Sequence, residues 1–418
     1  MNSVSSASSN PAASQSTLGK NIPMIKGLTF LMFTMFAMTT DSVGVIIPEI
    51  IKEFRLTMTQ AGAFHYATMT AIALAGIFLG YLADKLGRKK SIILGLVIFA
   101  LNSYLFAIGN SFAFFVGLLV ISGAAIGIFK TGALALIGDI STSTTEHTST
   151  MNAVEGFFGV GAIIGPLIVT YLLTRGVSWK WLYVIAGTLC VALIATAALV
   201  RYPQTMKATQ EPIDLKRTLS MMGNPFALAF SLGAFLYVAA ECAIYVWMPT
   251  LLKDYHGSAI LIATYALTIF FVLRAGGRFL GSWMLAHLNW AAVLTIFSLA
   301  ILACFMGSLV GGTGAAVYLL PLSGLFMSVV YPTINSKGIS CFPKAQHGAV
   351  AGVILFFTAA GAAAGPLAMG KVSDIFGGAR YGFMLAAGFA ALLFAGALAN
   401  WILDPSKMRL QSLDRSEY

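Results

Sequence analysis

Charge is scarce in this chain: acidic and basic residues together make up 10% of its 418 residues, against 58% hydrophobic. That shortage excludes a soluble globule, which needs far more polar side chain to cover its surface, and makes lipid the solvent for most of the polypeptide. Cysteine is as sparse. Cys190, Cys242, Cys304 and Cys341 fall in or at the ends of long apolar runs, without the paired spacing of a zinc or redox site, so they read as packing residues. The absence of metal-ligand spacing, of a His/Asp/Ser cluster and of a nucleotide loop argues against an intramembrane enzyme, and no metal or cofactor is expected. One near match, Gly365-Pro366-Leu367-Ala368-Met369-Gly370-Lys371, mimics a phosphate-binding loop. Val372 stands where Ser or Thr must hold magnesium and no strand precedes it, so ATP binding is rejected. The net charge of +10 comes from basic residues scattered over loops, not gathered on one face, which argues against a nucleic-acid partner.

What is present is apolar sequence in long unbroken runs. A spanning helix needs roughly 20 mostly apolar residues, and only helices or closed barrels satisfy their backbone groups in hydrocarbon. These runs do not alternate in polarity, so an all-α membrane protein is expected. Twelve spans are predicted: 26–47, 62–83, 91–110, 112–138, 149–174 and 180–200, then 226–251, 259–286, 290–311, 314–338, 348–370 and 381–403. Residues 201–225 form a polar linker, so the domains are 26–200 and 226–403. Residues 1–25 and 404–418 are tails, the first rich in Ser, Ala and Asn and expected to be disordered. Of the 25 Lys and Arg residues, fifteen lie on the side shared by the termini and seven on the other, which places both termini in the cytoplasm.

The two halves echo each other at a shift of 200 residues. His147, Phe157, Gly161, Gly165, Pro166 and Leu167 recur as His347, Phe357, Gly361, Gly365, Pro366 and Leu367, and Asp41 falls opposite Glu241. The molecule is therefore read as two copies of one membrane unit.

Ionisable groups in hydrocarbon are expensive, about 3 kcal/mol each on the insertion scale, so each needs a reason. Asp41, Lys130, Glu241, Arg274 and Arg278 lie well inside spans, and Glu155 is about two turns into the fifth. Mutual pairing that fixes helix packing is one account of any single member. Asp41 and Glu241 sit at equivalent depths in the first helix of each half, where such helices face a shared cavity. Loss of hydration favours a neutral carboxyl there and a nearby ammonium favours the carboxylate, so a balanced group can take a proton from one side and release it to the other. Asp41 is the expected proton site, Lys130 its tuning cation and Glu241 a second coupling group. Glu241 also opens the run Glu241-Cys242-Ala243-Ile244-Tyr245-Val246-Trp247, where aromatic faces beside an acceptor suit a sugar. Tyr237, Tyr245, Lys130, Arg274, Asn335 and Phe357 are further expected lining residues. Trp247, near the end of its span, also fits an interfacial anchor.

Between the second and third spans stands Gly80-Tyr81-Leu82-Ala83-Asp84-Lys85-Leu86-Gly87-Arg88-Lys89-Lys90. Gly80 allows close helix approach, Gly87 makes a tight turn, and Asp139 is positioned to pair with Arg88. This stretch resembles the signature loop of the major facilitator superfamily, which implies a fold of two pseudo-symmetric six-helix bundles. The resemblance also implies that Gly80, Asp84, Gly87, Arg88 and Asp139 gate the inward face. The second-half counterpart, Gly281-Ser282-Trp283-Met284-Leu285, lacks the acid and the basic turn, so gating is expected to be asymmetric. Gly161-x-x-x-Gly165-Pro166 and Gly361-x-x-x-Gly365-Pro366 read as close-packing strips.

Within that superfamily, Phe157-Phe158-Gly159-Val160-Gly161-Ala162 with Gly165-Pro166, Ala234-Phe235-Leu236-Tyr237 leading to Glu241 and Pro249, and Tyr331-Pro332-Thr333-Ile334 resemble the fucose:proton symporter family. The resemblance implies cation-coupled uptake of a sugar through alternating access; a proton-coupled monosaccharide transporter, working as a monomer in a bacterial inner membrane, is expected. Lys130 stands where that family carries an acid, and Arg274 is an extra cation, so a sugar acid or other organic anion is an alternative substrate. Export of amphipathic drugs is a second alternative. Against it, Gly117-Leu118-Leu119-Val120-Ile121-Ser122-Gly123 has no early Arg, and Pro166 is followed by Leu167-Ile168.

Overall fold

The computed structural model describes residues 11–79, 82–142, 144–203, 221–343, 346–407 and 410. Among them, ten helical stretches are long and apolar enough to cross a bilayer. Twelve spans are recovered from these ten for two reasons. The stretch Trp290–Ser340 holds two spans that part at Gly312, whose φ of 63° only glycine adopts without strain, within the predicted 311–314 boundary. The third span, Arg88–Leu105, opens on Arg88, Lys89 and Lys90, which lower its apolar character without shortening the helix.

The first half runs through Pro11–Thr40 with Val43–Phe54, then Ala63–Leu79, Arg88–Leu105, Phe112–Ile140, Thr144–Thr174 and Trp181–Leu199. The second runs through Pro225–Leu252, Ala266–His287, Trp290–Met327 with Val330–Ser340, His347–Phe376 and Ala379–Leu403. These are spans one to six and seven to twelve. The first helix begins at Pro11, so residues 11–25, expected from composition to be a disordered tail, are helical here, with Ile25 fully buried. Residues 204–220 of the expected linker, and Gly80 in the signature loop, lie outside the described residues. Span seven starts cleanly, because Asn224 caps the amides of Phe226 and Ala227 and Pro225 occupies the first turn.

The repeat is visible in the packing. Span one packs on span five and span seven on span eleven; the halves then meet through spans two with eleven and five with eight. Glycine explains the close approaches. A Cβ on Gly161 or Gly165 would collide with the carbonyl of Thr34 or Met38 in span one. One on Gly361 would lie 2.7 Å from the carbonyl of Phe235, and one on Gly365 2.8 Å from Cα of Ala239, both in span seven. The predicted close-packing strips therefore do the same work in both halves.

Both first helices are irregular just beyond their carboxylate. Span one breaks at Asp41 and Ser42, and span seven widens into a π-helical turn over Ala243–Trp247. Pro48 and Pro249, 201 positions apart, lack the N–H that the carbonyls of Gly44 and Tyr245 would otherwise accept. Those two positions touch: a Cβ on Gly44 would collide with the carbonyl of Tyr245. Equivalent residues in mutual contact lie on the axis relating the halves, so spans one and seven cross there.

Candidate functional site

The site is built around Glu241, which is 6% exposed at the last regular turn of span seven. Its Oε1 lies 2.7 Å from Nη2 of Arg274 on span eight and accepts from the Tyr237 hydroxyl at 2.9 Å. Tyr237, one turn earlier on span seven, is also 2.8 Å from the carbonyl of Met327 on span ten. Spans seven and eight are thus tied through Glu241 Oε1, and span ten joins them through the Tyr237 hydroxyl, whose one proton the carboxylate and the Met327 carbonyl share; Oε2 has no partner among the described residues. Arg278, one turn along from Arg274, lies within electrostatic reach of Tyr237.

Across the axis, Asp41 sits at the break in span one and accepts from Thr40 Oγ1 at 2.7 Å. It feels the charges of Arg274, Lys130 and Glu241, so the two carboxylates that the repeat places opposite each other belong to one electrostatic cluster. Lys130 of span four lies over the Phe158 ring at 5.1 Å and within reach of both Glu155 and Asp41. Six charges therefore share this level of the protein: Asp41, Glu155 and Glu241 against Lys130, Arg274 and Arg278.

Other sequence-predicted residues stand differently. Tyr245 reaches the cluster sideways: its hydroxyl is 2.8 Å from Cys242 Sγ. Asn335 and Phe357 are half-buried on spans ten and eleven and make no hydrogen bond or ion pair with the central charges among the described residues. Trp247 is buried at 1% exposure, with Nε1 donating to the carbonyl of Pro366 at 3.2 Å, so it packs inside the protein and is not an interfacial anchor.

His65 escaped the sequence reading. It is fully buried on span two, neither ring nitrogen makes a hydrogen bond of good geometry, and it lies edge-on to Tyr245 of the other half at 5.3 Å. A single histidine inside an apolar run was the available signal. Its neighbourhood is the seam on the side away from the termini. There Asp374 of span eleven accepts from the amides of Met58 and Thr59 at 2.7 and 2.8 Å, capping the short helix Met58–Ala61 that leads into span two. Trp247 lies against Gly62 and Gly370 beside it. Spans two and eleven hold the two halves together at this end.

At the opposite end the signature loop keeps the expected pair. Arg88 Nε lies 2.9 Å from Asp139 Oδ2, and Gly87 turns the chain with φ of 86°. Nearby, Lys26 binds Glu146 at 2.7 Å and, with Thr142, holds its carboxyl down at about 2.

The profile of the Major Facilitator Superfamily matches residues 29–366. The chain belongs to the major facilitator superfamily. Two curated relatives and one solved structure, all distant in sequence, match it over most of their length. It is 23% identical over 388 residues to a glucose/galactose transporter of Brucella abortus biovar 1 (strain 9-941), covering 88% of this chain and 92% of that one. It is 26% identical over 344 residues to the L-fucose-proton symporter of Escherichia coli (strain K12), covering 74% and 78%. Among solved structures, a bacterial homolog of the human lysosomal transporter Spinster, inward-facing and occupied, superposes with a TM-score of 0.73 at 16% identity, covering 93% of this chain and 97% of that one. This major facilitator protein is a multi-pass membrane transporter and not an enzyme.

Proposed function

We propose that this transporter moves a neutral monosaccharide together with protons by alternating access, as a monomer in a bacterial inner membrane with both termini in the cytoplasm. Asp41 takes and releases the proton, Lys130 tunes it, and Glu241 accepts from a sugar hydroxyl. The observation that carries this reading is the way Glu241 is held: Arg274 and Tyr237 both bind Oε1, which leaves Oε2 as an acceptor for a ligand hydroxyl. The same pair weakens the organic-anion alternative, because Arg274 is already neutralised and the two cations left, Lys130 and Arg278, are matched by Asp41 and Glu155. Tyr237, with its hydroxyl engaged twice, serves by fixing Glu241. Tyr245, Asn335 and Phe357 are assigned to the walls, and Gly80, Asp84, Gly87, Arg88 and Asp139 to the cytoplasmic gate.

The test is a thermal-shift screen of the purified protein against glucose, galactose, L-fucose, galacturonate and ethidium, since a ligand that binds the native form raises its apparent stability. A neutral hexose that raises the melting temperature, and loses the effect in Glu241→Ala, is the expected result. Stabilisation by galacturonate alone or ethidium alone overturns it.

A further inference from the structure

Behind Asp41, inside the first half and away from the central charges, spans one, two, four and six enclose a small cavity with room for about one water molecule. Its polar lining is all hydroxyl: Thr39, Thr40, Thr68, Ser122 and Tyr183, each no more than 6% exposed. The Tyr183 hydroxyl has no partner in this pocket, an omission expensive enough for a buried group to call for a ligand. The ring itself is fixed, stacked on Phe106 with centroids 3.8 Å apart.

The hydrogens of the lining groups define what fits. Thr39 and Thr68 donate to the carbonyls of Phe36 and Phe64 at 2.9 and 3.2 Å, so each has only lone pairs left to offer. Thr40 has two acceptors within reach, Asp41 Oδ2 at 2.7 Å and the Phe36 carbonyl at 3.2 Å; its one proton goes to the shorter contact, and its oxygen likewise remains an acceptor. Ser122 receives a bond from Asn102 Nδ2 at 2.7 Å and keeps its own proton to give. Tyr183 is a second free donor. Two donors facing three acceptors match the tetrahedral needs of water. A cation would leave both donors stranded, and an anion would meet three acceptors.

We propose that this pocket holds a bound water that, through Thr40, forms a relay to Asp41, with Tyr183 as the residue that positions it. No proton leaves this line of groups: the water accepts from the Tyr183 and Ser122 hydroxyls and donates to Thr40 Oγ1, which donates to Asp41 Oδ2, so the relay is a fixed chain of hydrogen bonds that supports the carboxylate. The water's support adds to the charges that Asp41 feels from Lys130 of span four, Glu241 of span seven and Arg274 of span eight. The relay rests on Asp41 being the proton site; the pocket does not.

Two measurements decide it. A structure of the full-length protein in nanodiscs, at a resolution that shows solvent, should reveal a peak within hydrogen-bond distance of the Tyr183 hydroxyl; an empty pocket overturns the site. The pH profile of hexose uptake in Tyr183→Phe, which preserves the stacking on Phe106, should move its midpoint to higher pH by about half a unit or more, the size a hydrogen bond to a charged group implies. Thr40→Val should move it in the same direction, and the double variant no further. A midpoint left in place with a lower plateau is the signature of mere packing and overturns the relay. If the unaltered protein shows no pH-driven uptake, the proton role of Asp41 fails and the relay with it, while the solvent peak still decides the pocket.

Discussion

Replacing Arg274 with glutamine strands the Glu241 carboxylate, whose side chain is only 8% exposed, while Arg274 itself is 27% exposed. Removing one partner of a buried pair costs about 3–5 kcal/mol, and the partial exposure of the arginine places this pair at the low end, about 3 kcal/mol. Glu241→Gln should cost a similar amount by stranding the guanidinium. The double variant strands neither charge, so its loss should fall well below the sum, leaving a coupling of about 2 kcal/mol or more. An unfolding entropy of about 2.1 cal/mol/K per residue converts 3 kcal/mol to a shift of about 3 °C for a chain of this length. That figure is a lower bound, because spans that stay helical in lipid contribute less entropy on unfolding. The assay is thermal denaturation of the four proteins in one detergent. Strictly additive losses, or an Arg274→Gln protein that melts with the parent, would refute the pairing and with it the argument against an anionic substrate.

Other perturbations read other parts of the structure. Gly161→Ala drives a methyl into the carbonyl of Thr34 and should cost about 1–3 kcal/mol, whereas Gly156→Ala meets open space and should leave melting unchanged. Asp374→Asn removes a charged cap from Met58 and Thr59, worth about 1 kcal/mol, and should favour opening on that side about fivefold. The readout is the rate at which a maleimide applied from that side alkylates the fully buried Cys242. Glu146 is held down at about 2 by Lys26 and Thr142, so its folded value lies below its unfolded one. The stability it contributes is complete above the ordinary carboxylate range and lost as pH falls toward 2. The melting difference between parent and Glu146→Gln should accordingly stay constant from pH 8 to 5 and narrow only below about 4.3.

The fold was largely legible in the sequence, because lipid makes apolar run length decisive and the repeat of Gly161, Gly165 and Pro166 in the second half marks equivalent helix crossings. Gly312 and the basic start at Arg88 divided or weakened runs without hiding them. The start of span one was not legible: residues 11–25 have the composition of a tail, and only packing shows Ile25 buried. At the site, depth in the span was enough to single out Asp41, Lys130, Glu241 and Arg274. Which of them pair was not, since the bond of Arg274 to Glu241 depends on the facing of two helices. Trp247 was ambiguous for a related reason, because position near a span end does not say whether an indole faces lipid or a neighbouring carbonyl. His65 and Asp374 needed the two halves brought together, as their partners lie about 180 and 315 residues away in sequence.

The central claim is that Asp41 couples proton movement to transport. The most direct measurement compares Asp41→Asn with the parent protein in liposomes, following hexose accumulation driven by a pH gradient alongside sugar counterflow, which needs no net proton movement. Asp41→Asn should lose gradient-driven accumulation and keep counterflow. Accumulation that survives unchanged in Asp41→Asn would contradict the account.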